Sequence, residues 1–145
     1  MAGVWSSFGL APRAASAKPS TWKVIQVESP FLPKEMKKAF GVIVSSDAML
    51  AHTHTAMFCL LVPGLGADDK PLALEPWHVD VGFDVRGHQE PPDLRSPRLS
   101  TKLIFPAQPN EIDKDGKEHG YLSANSIKHA RAKLGAWMPF KAIKL

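Results

Sequence analysis

Two histidines separated by one residue are the first pair in the sequence that could carry chemistry. His52 and His54 flank Thr53. On a β-strand, residues i and i+2 point to the same face, so the two imidazoles could bind one metal ion together. On a helix the same side chains diverge and the site would not form. A small metal-binding β-domain centred on this pair is therefore one hypothesis, although no spacing fixes a further ligand, and we predict no bound metal or cofactor.

A third histidine and two carboxylates follow at His78, Asp80 and Asp84. They fall between apolar residues, so they would share the polar face of one strand. Paired carboxylates serve as acid and base where burial separates their pKa values, and a strand surface that faces solvent gives no such burial. The sequence therefore predicts no catalytic residue and a protein that is not an enzyme.

A basic segment near the end of the chain could contact an anionic surface. Ser123 is a natural N-cap and Gly135 a natural stop, which predicts a helix near 123–134. Its partner would be anionic lipid headgroups or the phosphates of RNA, and the alternative is that the helix packs on the acidic middle of its own chain. RNA is the less favoured of the two, because the sequence around the helix lacks the interleaved aromatic residues of single-strand readers. The side chains expected to make this contact are Lys128, Arg131 and Lys133.

Composition limits the classes of protein to which the chain can belong. Its 145 residues are 44% hydrophobic and 22% charged with a net charge of +4, which fits a single domain. Cys59 is the single cysteine, which excludes an internal disulfide and any metal site built from several thiolates. No run approaches ~20 apolar residues, so we predict no transmembrane segment in the sequence itself.

The elements that must position these groups are mainly strands. Short apolar or alternating runs predict strands at 22–28, 42–44, 79–85 and 99–105. The segment 47–62 is open between a helix capped by Ser46 and a strand, with the strand favoured for its second half. A short helix is predicted near 33–40, after Pro33 and before Gly41.

These elements predict an α+β fold, a small antiparallel β-sheet or sandwich with one short helix, a basic C-terminal helix and extended N- and C-terminal arms. Residues 1–21 form the N-terminal arm, 22–135 a single α+β domain with a Pro-rich middle, and 136–145 a C-terminal docking tail. The first segment is basic, rich in Ala and Ser and poor in acids, as organelle transit peptides are.

Large apolar residues in both arms would be unfavourable if they stayed exposed to solvent. Aromatic residues and methionine are enriched at protein interfaces, so these residues are predicted to dock on other proteins. The residues are Trp5, Phe8, Trp137, Met138, Phe140 and Ile143.

The sequence is therefore interpreted as a non-enzymatic accessory subunit of a large multiprotein assembly, mitochondrial and of the kind found in respiratory complexes or ATP synthase. The alternatives are a ribosomal or other RNA-associated protein that uses the basic helix, and the metal-binding domain centred on His52 and His54. A steep fall of binding with salt would favour the RNA-associated protein.

Overall fold

A five-stranded antiparallel sheet forms the centre of the computed structural model, which describes residues 19–33, 38–81 and 94–137. The strands lie in the order β1-β2-β3-β5-β4. The class predicted from the sequence, α+β with an antiparallel sheet, is confirmed. The bounds of the strands are β1 Val24–Val27, β2 Ala39–Ile43, β3 Ala56–Val62, β4 His78–Asp80 and β5 Arg98–Ala107.

Two helices accompany the sheet, α1 over Asp47–Thr53 and α2 over Ala124–Trp137, with a 3₁₀ helix at Pro109–Glu111. The C-terminal helix therefore lies where it was predicted. The Ser123 hydroxyl accepts a hydrogen bond from the Ser126 N–H at 3.2 Å, as an N-cap does. None of the described helices is both long and apolar enough to cross a membrane.

Each face of the sheet buries its own apolar cluster, because alternate residues of a strand point to opposite faces. Helix α2 packs over the second face, where Ala130 is fully buried. The first cluster comprises Ile25, Val27, Leu32, Ala39, Ile43, Leu50, Ala56, Phe58, Leu60 and Ala107. The second comprises Val24, Val42, Cys59, Leu61, Val79, Val81, Leu94, Leu99, Leu122 and Ala130.

The segment 47–62, for which the sequence left a helix and a strand open, contains a helix followed by a strand. Ser46 accepts a hydrogen bond from the Met49 N–H at 3.1 Å and so caps α1. The helix ends at His54, whose φ of 56° is left-handed, and β3 begins two residues later. Because His52 lies in the helix and His54 at its C-cap, the strand that a shared metal site required does not exist at this pair.

Strand β5 breaks the alternation that was predicted for 99–105. Cys59 pairs with Ile104 while the next residue of β3, Leu60, pairs with Ser100, so residues 101–103 form a bulge. The bulge turns Leu103 outward, and its side chain is 37% exposed instead of buried.

Three other expectations need correction or fall only partly within the described residues. Ala39 and Phe40 already belong to β2, so the described end of the helix predicted near 33–40 is a strand; residues 34–37 lie outside the described residues. Gly135 does not stop α2, which continues to Trp137. Of the strand predicted at 79–85, β4 contains residues 79 and 80, Val81 lies just after it, and residues 82–93 lie outside the described part.

Most residues of the two predicted arms lie outside the part of the chain that the structure describes. Residues 1–18 and 138–145 lie outside them, as therefore do Trp5, Phe8, Met138, Phe140 and Ile143. The division into an arm, a domain and a tail remains a prediction.

Candidate functional site

Four polar side chains gather where the edge strand β4 pairs with the start of β5. His78 pairs with Ser100 and Asp80 pairs with Arg98, and the Val79–Leu99 pair lies between them in the antiparallel ladder. Residues directly opposite each other share a face, as do residues two apart on one strand, so all four side chains lie on the same face. We call this group, His78, Asp80, Arg98 and Ser100, the β4–β5 corner.

The backbone of the loop before β4 is held by Arg98. Its Nη1 donates to the carbonyl oxygens of Leu72 at 2.7 Å and Ala73 at 2.9 Å. A Cβ on Gly64 would come within 2.2 Å of the Ser96 carbonyl oxygen and 3.0 Å of Arg98 Nε. The absence of a side chain at Gly64, just after β3, therefore lets the backbone before β5 pass close to it. This close approach places the Arg98 guanidinium at the corner.

A second arginine, Arg95, holds the same loop, but its charge is paired with a carboxylate. Arg95 donates through Nη2 to the Gly66 carbonyl oxygen at 2.6 Å, and its Nη1 pairs with the carboxylate of Asp69. Arg95 therefore clamps the loop with its charge compensated by a neighbouring acid, which makes it a natural control for Arg98.

His78 is held as a neutral imidazole with a defined tautomer. Its Nδ1 accepts a hydrogen bond from the Glu75 N–H at 3.3 Å. Partial burial and then the positive charge of Arg98 lower the pKa of His78, while Glu75 opposes the shift. Because Nδ1 is an acceptor, the proton of the neutral ring is on Nε2, which is a donor. His78 can therefore donate a hydrogen bond to an anion at neutral pH.

Ser100 lies beneath this surface. Its side chain is 1% exposed, and its Oγ has no hydrogen-bond partner among the described residues. A buried hydroxyl without a partner is disfavoured in a core made only for stability. It stands between Leu60 and His78 across the sheet.

An aromatic side chain and two lysines adjoin the corner. The Nζ of Lys102, a residue of the β5 bulge, lies 4.2 Å from the centroid of the Trp77 ring. The Trp77 and His78 rings meet nearly edge to face, with centroids 6.0 Å apart. Lys133 of α2 donates from Nζ to the Pro76 carbonyl oxygen at 2.7 Å.

The fold separates the three basic residues that were predicted to form one anionic contact. Lys128 and Arg131 are exposed, and because they are three residues apart they share one side of α2. Lys133 is about 200° around the helix from Arg131 and reaches the loop before β4. The role of these residues in binding an anion remains a prediction.

The other chemistry-bearing residues of the sequence lie away from the corner. Cys59 is buried in the second cluster, and this burial raises the pKa of its thiol to about 12, where it is inert at neutral pH. Across the residues that the structure describes, no group of three or more His, Cys, Asp or Glu is placed to hold a metal ion.

A second polar cluster lies at the opposite side of the sheet, next to β1, and we call it the buried charged cluster. It contains Lys23, Asp113, Glu118 and His119. Lys23 Nζ is 3.4 Å from Glu118 Oε1, and His119 Nε2 is 3.9 Å from Asp113 Oδ1. The side chains of Lys23, Asp113 and His119 are 0%, 6% and 6% exposed.

The backbone explains why Asp113 is buried there. Its Oδ1 accepts from the Gln26 N–H at 2.8 Å, and its own N–H donates to the Gln26 carbonyl oxygen at 2.8 Å. The side chain thus stands in for a missing strand partner of β1 and holds Asp113 at a φ of 49°. Desolvation raises the pKa of Asp113 to about 6, against the opposing effects of the Gln26 hydrogen bond and the Lys23 charge. The cluster is a structural joint, because the buried Asp113 binds the backbone of β1 through both its side chain and its N–H.

Sequence reasoning considered His78 and Asp80 and missed Arg98, Ser100, Trp77 and Lys102. It treated β4 as a solvated surface, whereas the loop before β4 and the start of β5 enclose one end of it. The signal that would have revealed the corner is the pairing of β4 with β5, which spacing within one strand does not contain.

The fold is similar to that of endoribonucleases in solved structures, MazF among them. A mycobacterial endoribonuclease in complex with its cognate antitoxin matches with a TM-score of 0.57 and 16% identity over 81% of this chain and 92% of that one. A second mycobacterial endoribonuclease matches with a TM-score of 0.53 and 16% identity over 81% and 88%. MazF from Deinococcus radiodurans matches with 0.53 and 15% over 81% and 94%. No family model matches the sequence, and no curated protein does either.

These similarities overturn the functional interpretation drawn from the sequence. The prediction of a non-enzymatic accessory subunit of a respiratory complex or ATP synthase is wrong, because the described residues share their fold with enzymes. The prediction of a mitochondrial location is wrong as well, because the similar structures come from bacteria. Both predictions were based on the composition of the first segment and on the apolar residues of the arms. Neither feature contains information about the order of the strands in the sheet. One similar structure is a complex with a protein partner.

Proposed function

We propose that the protein is an endoribonuclease that binds the RNA backbone at the β4–β5 corner and cleaves it there. One observation carries the proposal: the pairing of the edge strand β4 with β5 puts a guanidinium, a neutral imidazole and a carboxylate on one face of the sheet. The likeness in fold to endoribonucleases supports the class of reaction. The residues are those of this chain and are argued from its own geometry.

Arg98 and His78 supply donors for a phosphate. A guanidinium presents several N–H groups in a planar fork, and Nη1 of Arg98 uses only part of that fork on Leu72 and Ala73. His78 adds its Nε2–H from two rows along the ladder, on the same face of the sheet. Donors fixed in advance stabilise the charge that grows on the phosphoryl oxygens in the transition state, since they need no reorganisation then.

Asp80 supplies the proton acceptor that cleavage of RNA needs. In the reaction we propose, the 2′-oxygen forms a bond to phosphorus while the bond from phosphorus to the 5′-oxygen breaks. The proton leaves the 2′-hydroxyl for Asp80 and finally resides on the 5′-oxygen, so that atoms and charge balance. A carboxylate in this position acts as a general base. The requirement for a 2′-hydroxyl distinguishes RNA from DNA as the substrate.

The test compares the two arginines that clamp the same loop. We expect Arg98→Ala to lower kcat on a fluorogenic single-stranded RNA about 100-fold, the usual effect of removing one donor from a transition state. Arg95→Ala breaks an equivalent clamp whose charge is already paired with Asp69, so it should keep kcat within about threefold.

Two controls secure the comparison. Thermal unfolding of both variants shows whether either loses the fold, and Arg98→Lys keeps the charge if Arg98→Ala does not fold. No cleavage by the wild-type chain would overturn the proposed function. Equal loss in Arg95→Ala and Arg98→Ala would overturn the corner as its site.

We also propose that the chain has a protein partner, which the complex of the similar mycobacterial enzyme with its antitoxin supports. The predicted docking residues of the two arms are where we expect this contact. Deletion of residues 1–15 or 136–145 should release a partner that co-purifies with the intact chain, while circular dichroism of the sheet stays unchanged. Retention of the partner after both deletions would contradict the role of the arms.

A further inference from the structure

We infer that Trp77 is a stacking platform for one base of single-stranded RNA, with Lys102 and Lys133 as contacts for the adjoining phosphates. The inference rests on the proposed function, since it names the form of RNA that the same region binds. It is carried by a different side of β4 from the corner, and by residues that the cleavage chemistry does not use.

The backbone holds Trp77 in place at the start of the edge strand. Both the N–H and the Oγ1–H of Thr101 donate to the Trp77 carbonyl oxygen, at 3.0 Å and 2.7 Å. Thr101 is itself buried, so this anchor lies in the protein interior. The indole ring is half-buried and therefore keeps part of its surface for a ligand. A ring whose backbone is fixed loses little conformational entropy when a base stacks on it.

The bulge in β5 provides the cation over this ring. Residues 101–103 have no partner in β3 in the register of the sheet, and Lys102 within them is exposed. Its Nζ lies 4.2 Å from the ring centroid. When a base stacks on the indole ring, the flexible side chain of Lys102 can move its ammonium group from the ring to a phosphate of the same RNA strand. The cation–π contact is thereby replaced by base stacking and an ion pair.

Helix α2 brings the second cation. Lys133 Nζ donates to the carbonyl oxygen of Pro76, the residue before Trp77. The Trp77 ring therefore has one cation over it and a second cation at the preceding residue. Single-strand readers likewise combine a ring on which a base stacks with positive charge along the backbone. The fold thus brings Lys133 to the residue before a tryptophan that lies 56 residues earlier in the chain.

The position of Trp77 next to the corner gives the platform a function in cleavage. His78 is the following residue, and the two rings are 6.0 Å apart. A base stacked on Trp77 would fix the strand so that its neighbouring phosphate meets Arg98 and His78. Only an unpaired base can leave its stack and reach the ring, so the platform selects single strands over duplexes.

The binding experiment uses a probe that cannot be cleaved, a short single-stranded 2′-O-methyl oligoribonucleotide, with fluorescence anisotropy as the readout. Trp77→Leu should weaken binding about tenfold, and Trp77→Phe, which keeps an aromatic face, should lose much less. Lys102→Gln should weaken binding and lower the slope of log affinity against log salt by about one. The matched control Lys117→Gln, in an exposed turn, should leave both unchanged.

A second probe isolates the stack from the charge. A strand of the same length made only of abasic residues keeps the phosphates, and wild type and Trp77→Leu should bind it equally. Circular dichroism identifies a variant that fails to fold, and Lys102→Gln then carries the test alone.

The outcomes separate this inference from the proposed function. Binding that depends on Trp77 supports the platform even if the chain cleaves no RNA. Cleavage that depends on Arg98 together with equal binding of the 2′-O-methyl probe by wild type, Trp77→Leu and Lys102→Gln would overturn the platform alone. Equal weakening of the abasic strand by Trp77→Leu would also overturn it, because the effect would then not come from stacking.

Discussion

The β4–β5 corner and the buried charged cluster are built from the same kinds of side chain and do different work. Each combines an acid, a cation and a histidine, yet the corner lies on an edge strand and the cluster lies behind β1. At the corner Asp80 is exposed and His78 is held neutral, while in the cluster Asp113 and Lys23 are buried. Access to solvent, and not residue type, separates a surface able to bind a ligand from a joint that holds the chain together.

The largest effect should come from removing the proposed base. Asp80→Asn keeps the shape of the side chain and removes its ability to accept a proton, so kcat should fall at least 100-fold while RNA binding stays nearly constant. Asp113→Asn is the matched control in the buried charged cluster and should leave kcat unchanged. If both substitutions lower kcat alike, the distinction between the two clusters fails.

The next effect concerns stability and pH, and it belongs to the buried charged cluster. Asp113 has a pKa of about 6 in the folded state against 3.8 as its ordinary value, so the folded state binds the extra proton between these values. The free energy of unfolding should therefore fall as pH rises from about 4 to about 6, by at most about 3 kcal/mol from this group.

Urea unfolding at several pH values checks this, with Asp113→Asn as the variant. Asparagine keeps an acceptor for the Gln26 N–H and does not titrate, so the fall should disappear. Lys23, Asp115, Glu118 and His119 also face or influence Asp113 and are retained in the variant. An identical pH profile in both proteins would show that the Asp113 carboxyl is not desolvated.

A smaller effect is expected at the buried hydroxyl of the corner. Ser100→Ala removes an oxygen that has no partner among the described residues, so the protein should be unchanged or more stable by about 1 kcal/mol. Thermal unfolding measures it. A loss of stability above 1 kcal/mol would mean that Ser100 Oγ has a partner that stabilises the fold.

The smallest effect is the response of the corner to mild acid. Because the pKa of His78 lies below its ordinary value of 6.5, the ring is neutral throughout pH 7 to 8 and kcat should not change across that range through this group. Protonation at lower pH would turn Nδ1 into a donor facing the Glu75 N–H and disturb the ring. A pH–rate profile of wild type and His78→Gln checks the assignment: only the wild type should show the step in mild acid.

Local patterns in the sequence were enough for most of the elements. Residues 24–27, the second half of 47–62 and the capped C-terminal helix follow from apolar runs and from Ser46 and Ser123, which act through neighbours within a few positions. The bulge at 101–103 could not be predicted, because the alternation of Leu99, Thr101, Leu103 and Phe105 continues through it in sequence.

The candidate site was largely beyond the sequence, for a physical reason. Arg98 and His78 meet through a pairing between two strands. Trp77 meets Lys102 of β5, and Lys133 of α2 reaches the residue before Trp77. Such contacts depend on which strands become neighbours, and nothing in the local pattern of one strand encodes its neighbour. Composition also misled the interpretation, since a basic, acid-poor first segment suits many proteins.

The bulge in β5 has a mechanical consequence. On one side of it Ile104 to Ala107 pair with the first four residues of β3, and on the other Arg98 to Ser100 pair with both β3 and β4. Residues 101–103 between them have no partner in β3, and Thr101 is tied to Trp77 instead, so the two halves of β5 keep separate registers with β3. Substitutions can therefore change the half of β5 near Arg98 without shifting the half that the Phe58 and Phe105 rings hold in place. The specificity of the β4–β5 corner can then change while the rest of the sheet stays the same.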